Sequence, residues 1–256
     1  MPHNLRNQMI KTRLFKILKI LCVAAAWIVI WEIIHIAVGR DLIVPSPFSV
    51  LKRICTLGIT AEFWSNIALS IVRILIGYLA AIAAGCIIGI LTALSRILDA
   101  FLSPISKIIR ATPVASFIIL MFVFLARNNI PAFTAFLMVL PITWANVYEG
   151  IKRTDIQLLE MAHVFNIKKS AILRHIYIPS TMPYFMASAK TGMGLAWKAG
   201  IAAEVLTSPT HGIGTALYNS KIYLEITDLF AWTAVIIIIS VILEKIFVWL
   251  MNKAYH

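Results

Sequence analysis

Charged residues are scarce in this chain of 256 residues, because only 13% are Asp, Glu, Lys or Arg and only eleven are acidic. A soluble domain has a charged share of about a quarter. The hydrophobic share is 61% and the mean hydropathy is +0.89. The shortage of charge excludes an ordinary water-soluble domain and predicts a protein that crosses a membrane several times.

The sequence also lacks the motifs of nucleotide binding and of metal-dependent catalysis. None of its eleven glycines lies in a GxxxxGK phosphate-binding loop, and no HExxH occurs among its six scattered histidines. The three cysteines, Cys22, Cys55 and Cys86, have no metal-like spacing. We therefore predict no catalytic site, no metal site and no bound cofactor, and we predict that the chain is not an enzyme.

The excess of positive charge has two possible meanings. The chain carries 23 Lys and Arg residues against 11 Asp and Glu residues, a net charge of +12. Nucleic acid binding would use such a charge, but the cations lie beside long apolar runs, where they orient a membrane protein and touch anionic lipid. Membrane lipid is the expected partner, and nucleic acid is not.

Apolar runs of about twenty residues, the length that spans a bilayer, predict six transmembrane helices. They lie at about 17–38, 67–94, 108–126, 131–148, 184–206 and 229–250. The exact start of the third is left open, because Pro104, Lys107, Arg110 and Pro113 interrupt its apolar stretch. The predicted fold is all-α, with an N-terminal cytoplasmic segment, 1–16, and a transmembrane domain, 17–256. A short interfacial helix is expected over 48–63 and a loop over 207–228.

The cations predict the orientation of these spans. With a cytoplasmic N-terminus, fourteen flank the cytoplasmic ends and five the outer ends, which is a positive-inside bias. The cytoplasmic set is Arg6, Lys11, Arg13, Lys16, Lys19, Arg96, Lys107, Arg110, Lys152, Arg153, Lys168, Lys169, Arg174 and Lys253, and the outer set is Arg40, Lys52, Arg53, Arg127 and Lys221. Both termini are therefore expected in the cytoplasm.

One polar segment, EMAHVFNIKKSAILRHIYIP at 160–179, separates the fourth and fifth spans. Apolar residues recur at helical intervals from Ile156 to Phe165, and Thr154 is the expected N-cap with Asp155 in the first turn. Asn166 is expected to end this helix, because asparagine tolerates the left-handed conformation nearly as well as glycine. A second helix would return the chain to the membrane and end at Pro179. The plainer alternative is a solvated loop with one helical turn.

The spacing within this segment carries a resemblance. Glu160 and Ala162 come first, Asn166 lies six residues after Glu160, and a C-terminal triplet of Ile176, Ile178 and Pro179 follows. This resembles the cytoplasmic loop signature of binding-protein-dependent ABC transporter permeases: Glu-Ala-Ala, three residues, Gly, nine residues, Ile-x-Leu-Pro. Asn166 stands where the family has glycine. The segments VPSPFSVLKRI, SIVRILIGY, RATPVASF and AAEVLTSPTHGIG are similar to the branch that serves nitrate, taurine, aliphatic sulfonate and thiamine-precursor importers.

The resemblance implies a type I ABC importer permease in the bacterial inner membrane, with a cytoplasmic coupling loop at about 150–183. A coupling helix in this loop would dock an ATPase, with Glu160 offering a charge and Ala162 permitting close approach. The implied coupling residues are Glu160, Met161, Ala162, Phe165, Asn166, Ile176, Ile178 and Pro179. The implied partners are two ATP-binding subunits, which hold the ATP and Mg, a periplasmic or lipid-anchored substrate-binding protein, and a second permease copy that completes a dimer.

Charged residues inside the spans mark a possible pathway, because each is costly at the bilayer centre. Lys198 either borders the translocation pathway or pairs with Glu32 or Glu204. Glu204, near the outer end, is a candidate for docking a binding protein. Arg73 and Gly194 complete the pathway candidates, and the substrate would be a small anion or small organic molecule. A secondary transporter or channel subunit that works without ATP is the alternative function, and a membrane-embedded enzyme is a weaker one.

Overall fold

The computed structural model describes the backbone of residues 2–255, and the side chains of 22–253 together with those of Phe15, Leu18 and Lys19. Within this part every regular element is helical, which confirms the all-α prediction. The helices are α1 (Pro2–Val38), α2 (Pro47–Leu57), α3 (Ala61–Leu94), α4 (Arg96–Ala111), α5 (Val114–Met121), α6 (Ile130–Lys152), α7 (Ile156–Val164), α8 (Lys169–Ile172), α9 (Ile178–Thr207), α10 (Ile213–Ile222) and α11 (Ile226–Tyr255). A π-helical turn, Leu173–Tyr177, joins α8 to α9.

The core lies where α3, α6 and α9 pack against one another. Gly77 of α3 faces the Ala132 carbonyl of α6 so closely that a Cβ would overlap it. On α9, a Cβ at Gly200 would lie 2.5 Å from Cγ1 of Ile74. Small residues let helices approach in a membrane. The small residues of α3 therefore serve packing within one subunit.

The predicted third span, 108–126, is wrong as a single helix. α4 ends at Ala111, α5 begins at Val114, and the two are bent by 101°. Pro113 lacks an N–H and forces the residue before it out of the helical region. Thr112 accordingly has an extended conformation, with φ −82° and ψ 129°. Pro113 thus interrupts the helix although the stretch is mostly apolar.

Three described helices, Ala61–Leu94, Ile130–Lys152 and Ile226–Lys253, are long and apolar enough to cross a membrane, and the bent pair α4–α5 would make a fourth. They match the predicted second, fourth and sixth spans. The apolar part of α1, Cys22–Val38, is shorter than these helices. α9 carries charged residues and is not among the helices apolar enough to count as a span. The cations of the predicted N-terminal segment, 1–16, lie outside the described side chains.

The connections contain more helix than the sequence predicts. The expected loop 207–228 contains α10. The expected interfacial helix over 48–63 is shorter than predicted, since α2 ends at Leu57 and the remainder belongs to the start of α3 at Ala61. Arg53 of α2 donates two hydrogen bonds to Asp228 of α11, at 2.5 and 2.7 Å. This contact raises the pKa of Arg53 and ties the short helix to the bundle.

The chain enters α9 without the break expected at Pro179. In the π turn, the Ile178 N–H donates to the Leu173 carbonyl five residues back. The wider turn accommodates a proline that has no N–H and whose ring would crowd a regular helix. The expectation that Pro179 ends a helix is therefore wrong, and α8, the π turn and α9 form a continuous helical path.

Candidate functional site

α7 begins one residue later than predicted. Its N-cap is Asp155, whose side chain accepts a hydrogen bond from the Gln157 N–H at 2.9 Å. Thr154, the expected cap, is buried instead, and its hydroxyl lies 3.4 Å from the Gly150 carbonyl. Aspartate is as good a cap as threonine and also complements the positive end of the helix dipole. The cap therefore fixes where α7 starts.

The end of α7 follows the prediction made from Asn166. This residue is left-handed, with φ 50°. The Ile167 N–H donates to the Ala162 carbonyl at 2.9 Å, and the Asn166 N–H donates to the His163 carbonyl at 3.1 Å. These two bonds form a Schellman motif, which ends a helix and turns the chain. Asparagine thus forms a turn for which glycine is the usual residue.

α7 has two different faces. Glu160, Met161, Val164 and Phe165 are exposed, and the exposed fraction of Phe165 is 73%. Ala162, by contrast, is completely buried. The expectation that Ala162 lets a partner approach is therefore corrected, because this residue packs against the chain itself. The exposed face of α7 is an apolar strip with one acid.

The remaining coupling candidates divide in the same way. Ile176 is buried in the π turn, so it supports the segment from inside. Ile178 and Pro179 are exposed at the start of α9, and Asn166 is exposed in the turn. The structure thus assembles the predicted residues at one end of the bundle, between the end of α6 and the beginning of α9.

Glu204 lies at the centre of a second polar site, near the other end of α9. Its side chain is fully buried and accepts hydrogen bonds from Arg73 at 2.6 Å, the Ser70 hydroxyl at 2.7 Å and the Gly214 N–H at 3.0 Å. Burial contradicts the predicted role of Glu204 in docking a binding protein. Its contacts instead make it a structural anchor.

This anchor holds the connection between α9 and α10 against α3. Asn66 accepts from the Gly212 N–H at 3.0 Å, and Ser70 accepts from the Ile213 N–H at 2.9 Å. A Cβ at Gly212 would lie 2.8 Å from Oε2 of Glu204, so only glycine admits this approach. Asn66 and Ser70 were not among the residues predicted from the sequence. The sequence pattern does indicate them, because Asn66, Ser70 and Arg73 recur at helical spacing and therefore share one polar face of α3.

Lys198 lies on the exposed side of α9, away from this anchor. It takes part in none of the ion pairs between described side chains, so the alternative pairing with Glu32 or Glu204 is not formed. Gly194 lies one turn earlier, and a Cβ added there would have no heavy atom within 4 Å. The two residues share an open face. Arg73 belongs to the Glu204 anchor and lies apart from them.

Metal ligation finds no support in the described residues, since no three His, Cys, Asp or Glu side chains gather closely enough to hold an ion there. The site is made of the exposed face of α7, the open face of α9 and the buried Glu204 anchor.

Known proteins share this architecture. Two solved structures match the fold with 97% of their own chains covered: an amino acid ABC transporter, with TM-score 0.61 over 78% of this chain and 14% identity, and an inward-facing methionine ABC transporter, with TM-score 0.63 over 77% and 12% identity. At these identities the likeness concerns the fold alone.

Sequence relatives agree with the fold. The nitrate import permease protein NrtB of Synechococcus elongatus is 30% identical, covering 76% of this chain and 73% of its own. The taurine transport system permease protein TauC of Escherichia coli is 24% identical, covering 84% and 80% respectively. A bicarbonate transport system permease protein of Synechococcus elongatus is 28% identical, covering 74% and 68%.

The family description, binding-protein-dependent transport system inner membrane component, matches residues 81–254. This range contains α7, the open face of α9 and the Glu204 carboxylate. The family match excludes the alternative function of a secondary transporter or channel, because the members of this family are ABC importer permeases. The chain belongs to this family of inner membrane permeases.

Proposed function

We propose that this chain forms the substrate pathway of an ATP-driven importer and receives the force of two ATP-binding subunits through α7. The observation that carries the proposal is the outer face of α7, where Met161, Val164 and Phe165 are exposed beside Glu160. Exposed apolar patches rimmed by polar residues mark interaction sites. The chain has no phosphate-binding loop of its own, so ATP and Mg belong to those partners.

In the proposed topology the chain crosses the membrane six times, through α1, α3, the α4–α5 pair, α6, α9 and α11. The even number keeps both termini in the cytoplasm, in agreement with the cation bias. α7 then lies in the cytoplasm, and the α9–α10 connection faces the other side, where a substrate-binding protein would dock. The membrane domain comprises about 17–256, and the coupling loop about 150–183.

The open face of α9 is the proposed wall of the pathway. Lys198 and Gly194 lie there with free space in front of them. A second copy of the chain would close that space and form a dimeric channel. Lys198 would attract a small anion, and the relatives named above are permeases for nitrate, bicarbonate and taurine. We propose a substrate of this anionic or zwitterionic class, with thiamine precursors as the heterocyclic alternative.

Transport follows from an alternating-access cycle. ATP-driven closure of the two ATP-binding subunits would move α7, and the continuous helical path from α8 into α9 would transmit this movement to Lys198 and the open face. The cycle requires that α7 keep its angle to that path. Asn166 sets this angle through its left-handed turn.

The test substitutes Asn166 in two ways and measures capture of the ATP-binding subunit and ATP-dependent uptake in vesicles. Asn166→Gly keeps the left-handed conformation and should leave both unchanged. Asn166→Pro cannot adopt φ near 50° and loses the N–H that bonds to His163, so uptake should be lost while the protein stays inserted. Coupled uptake by the proline variant would refute a mechanical role for this segment.

A further inference from the structure

A large apolar cavity lies directly behind α7, on the side away from the partner-facing residues. Its volume is about 780 Å³, which is in the range of ligand sites. α3 contributes Cys86 and Ile90, and α7 contributes Leu159 and Ala162. Since Met161 and Val164 point the other way, α7 separates this cavity from the proposed docking face.

The cavity is distinct from the proposed pathway. From α9 it is lined by Ile178, Met182 and Phe185. With about 3.6 residues per turn, these side chains project from the side of the helix opposite Lys198, and they lie about 20–30 Å below it along the axis. The cavity therefore lies away from the open face of α9.

Polar side chains are few in the cavity: Thr181 lies on α9, Tyr177 lies in the π turn, and the other three lie near one end. His163, Asn166 and Lys169 line it there, at the turn between α7 and α8. The rest of the lining is almost entirely aliphatic or aromatic. An apolar space with one cationic end, at the level where membrane helices meet the cytoplasmic surface, has the chemistry of an amphiphile site. Basic pockets between membrane helices on this side of the bilayer bind anionic lipid head groups.

We propose that this cavity binds one anionic phospholipid, with an acyl chain between α3, α7 and α9 and the phosphate at Lys169. The lipid supports α7 from behind and so keeps the partner-facing side in place. The inference rests on the proposed function, because that function places this end of the bundle in the cytoplasmic leaflet. Phospholipid binding itself requires no ATP-binding subunit.

The experiment measures retained phospholipid by native mass spectrometry of the full-length chain, alone and coexpressed with its ATP-binding subunit, in phosphatidylglycerol or phosphatidylcholine. Lys169→Gln should lower phosphatidylglycerol retention about fivefold, since one cation near an anionic lipid contributes about that factor. Lys168→Gln is the matched control, because Lys168 is the neighbouring exposed cation that does not line the cavity.

A second pair of variants tests the acyl chain. Cys86→Trp places an indole ring inside the cavity and should lower retention, whereas Ile87→Trp changes the next residue of α3, which is 59% exposed and outside the lining. Equal retention in all variants would overturn the proposal, as would equal binding of phosphatidylcholine or loss of the phospholipid when the ATP-binding subunit assembles. Failure of the ATP-binding subunit to copurify, with lipid retention intact, would count against the proposed function only.

Discussion

Two charged residues of α9, Glu204 and Lys198, have opposite surroundings although they lie only six positions apart. Glu204 is fully buried and bonded to Arg73, Ser70 and Gly214. Lys198 is exposed and in no ion pair among the described side chains. A buried carboxylate with three donors is a structural element, whereas an exposed cation on an open face is available to a substrate.

We expect Glu204→Gln and Lys198→Met to act on different properties. The first leaves the Arg73 guanidinium without its counterion, so the free energy of unfolding should fall by about 3 kcal/mol. The second should leave stability unchanged and lower the uptake rate. Thermal unfolding in detergent and uptake into vesicles separate the two effects. Normal uptake by Lys198→Met would remove this residue from the pathway.

Among the elements, α3 and α9 show how small residues are divided between packing and open surface. Gly77 contacts the Ala132 carbonyl of α6 too closely for any side chain, while Gly194 of α9 has nothing near it. Both glycines lie in the middle of a helix, so replacing either one by alanine would by itself stabilise the helix by about 1 kcal/mol. Only their surroundings differ.

The same substitution, Gly→Ala, should therefore have opposite results at these two positions. Gly77→Ala pushes α3 and α6 apart and should lower the free energy of unfolding by about 1–3 kcal/mol, because overpacking is costly. Gly194→Ala should leave the isolated subunit as stable as before or slightly more so. Thermal unfolding of the two purified variants gives the comparison, and equal melting temperatures would contradict the packing of α3 on α6.

At the scale of the whole molecule, the orientation in the membrane determines which parts meet which partners. α2 carries the exposed Cys55 and is joined to the start of α11 by the Arg53–Asp228 ion pair. The segment from α7 to α8 carries the exposed Lys168. The positive-inside bias predicts that these two sites lie on opposite sides of the membrane.

Labelling with a membrane-impermeant maleimide tests this topology. In a variant that keeps Cys55 as its single cysteine, the reagent should label Cys55 in spheroplasts, whose outer membrane has been removed and whose inner membrane is intact. In a cysteine-free background with Lys168→Cys, labelling should require permeabilised cells. The reverse pattern would invert the proposed orientation and place α7 outside, where no ATP-binding subunit could reach it.

The amino-acid sequence alone determined the features that depend on composition and on neighbouring residues. Scarce charge and long apolar runs made it a membrane protein, the spacing from Glu160 to Pro179 indicated the family, and Asn166 predicted the left-handed turn. These predictions hold because a hydrophobic span or a helix end is decided by interactions within a few residues.

Only the tertiary structure decided the features that depend on distant residues. Arg73 and Glu204 are 131 positions apart, so nothing local identifies them as partners. The burial of Ala162 and the exposure of Lys198 depend on which helices pack beside them. The bend at Pro113 and the continuous passage through Pro179 show that even proline has different effects, because the surrounding helix either breaks or widens into a π turn to accommodate it.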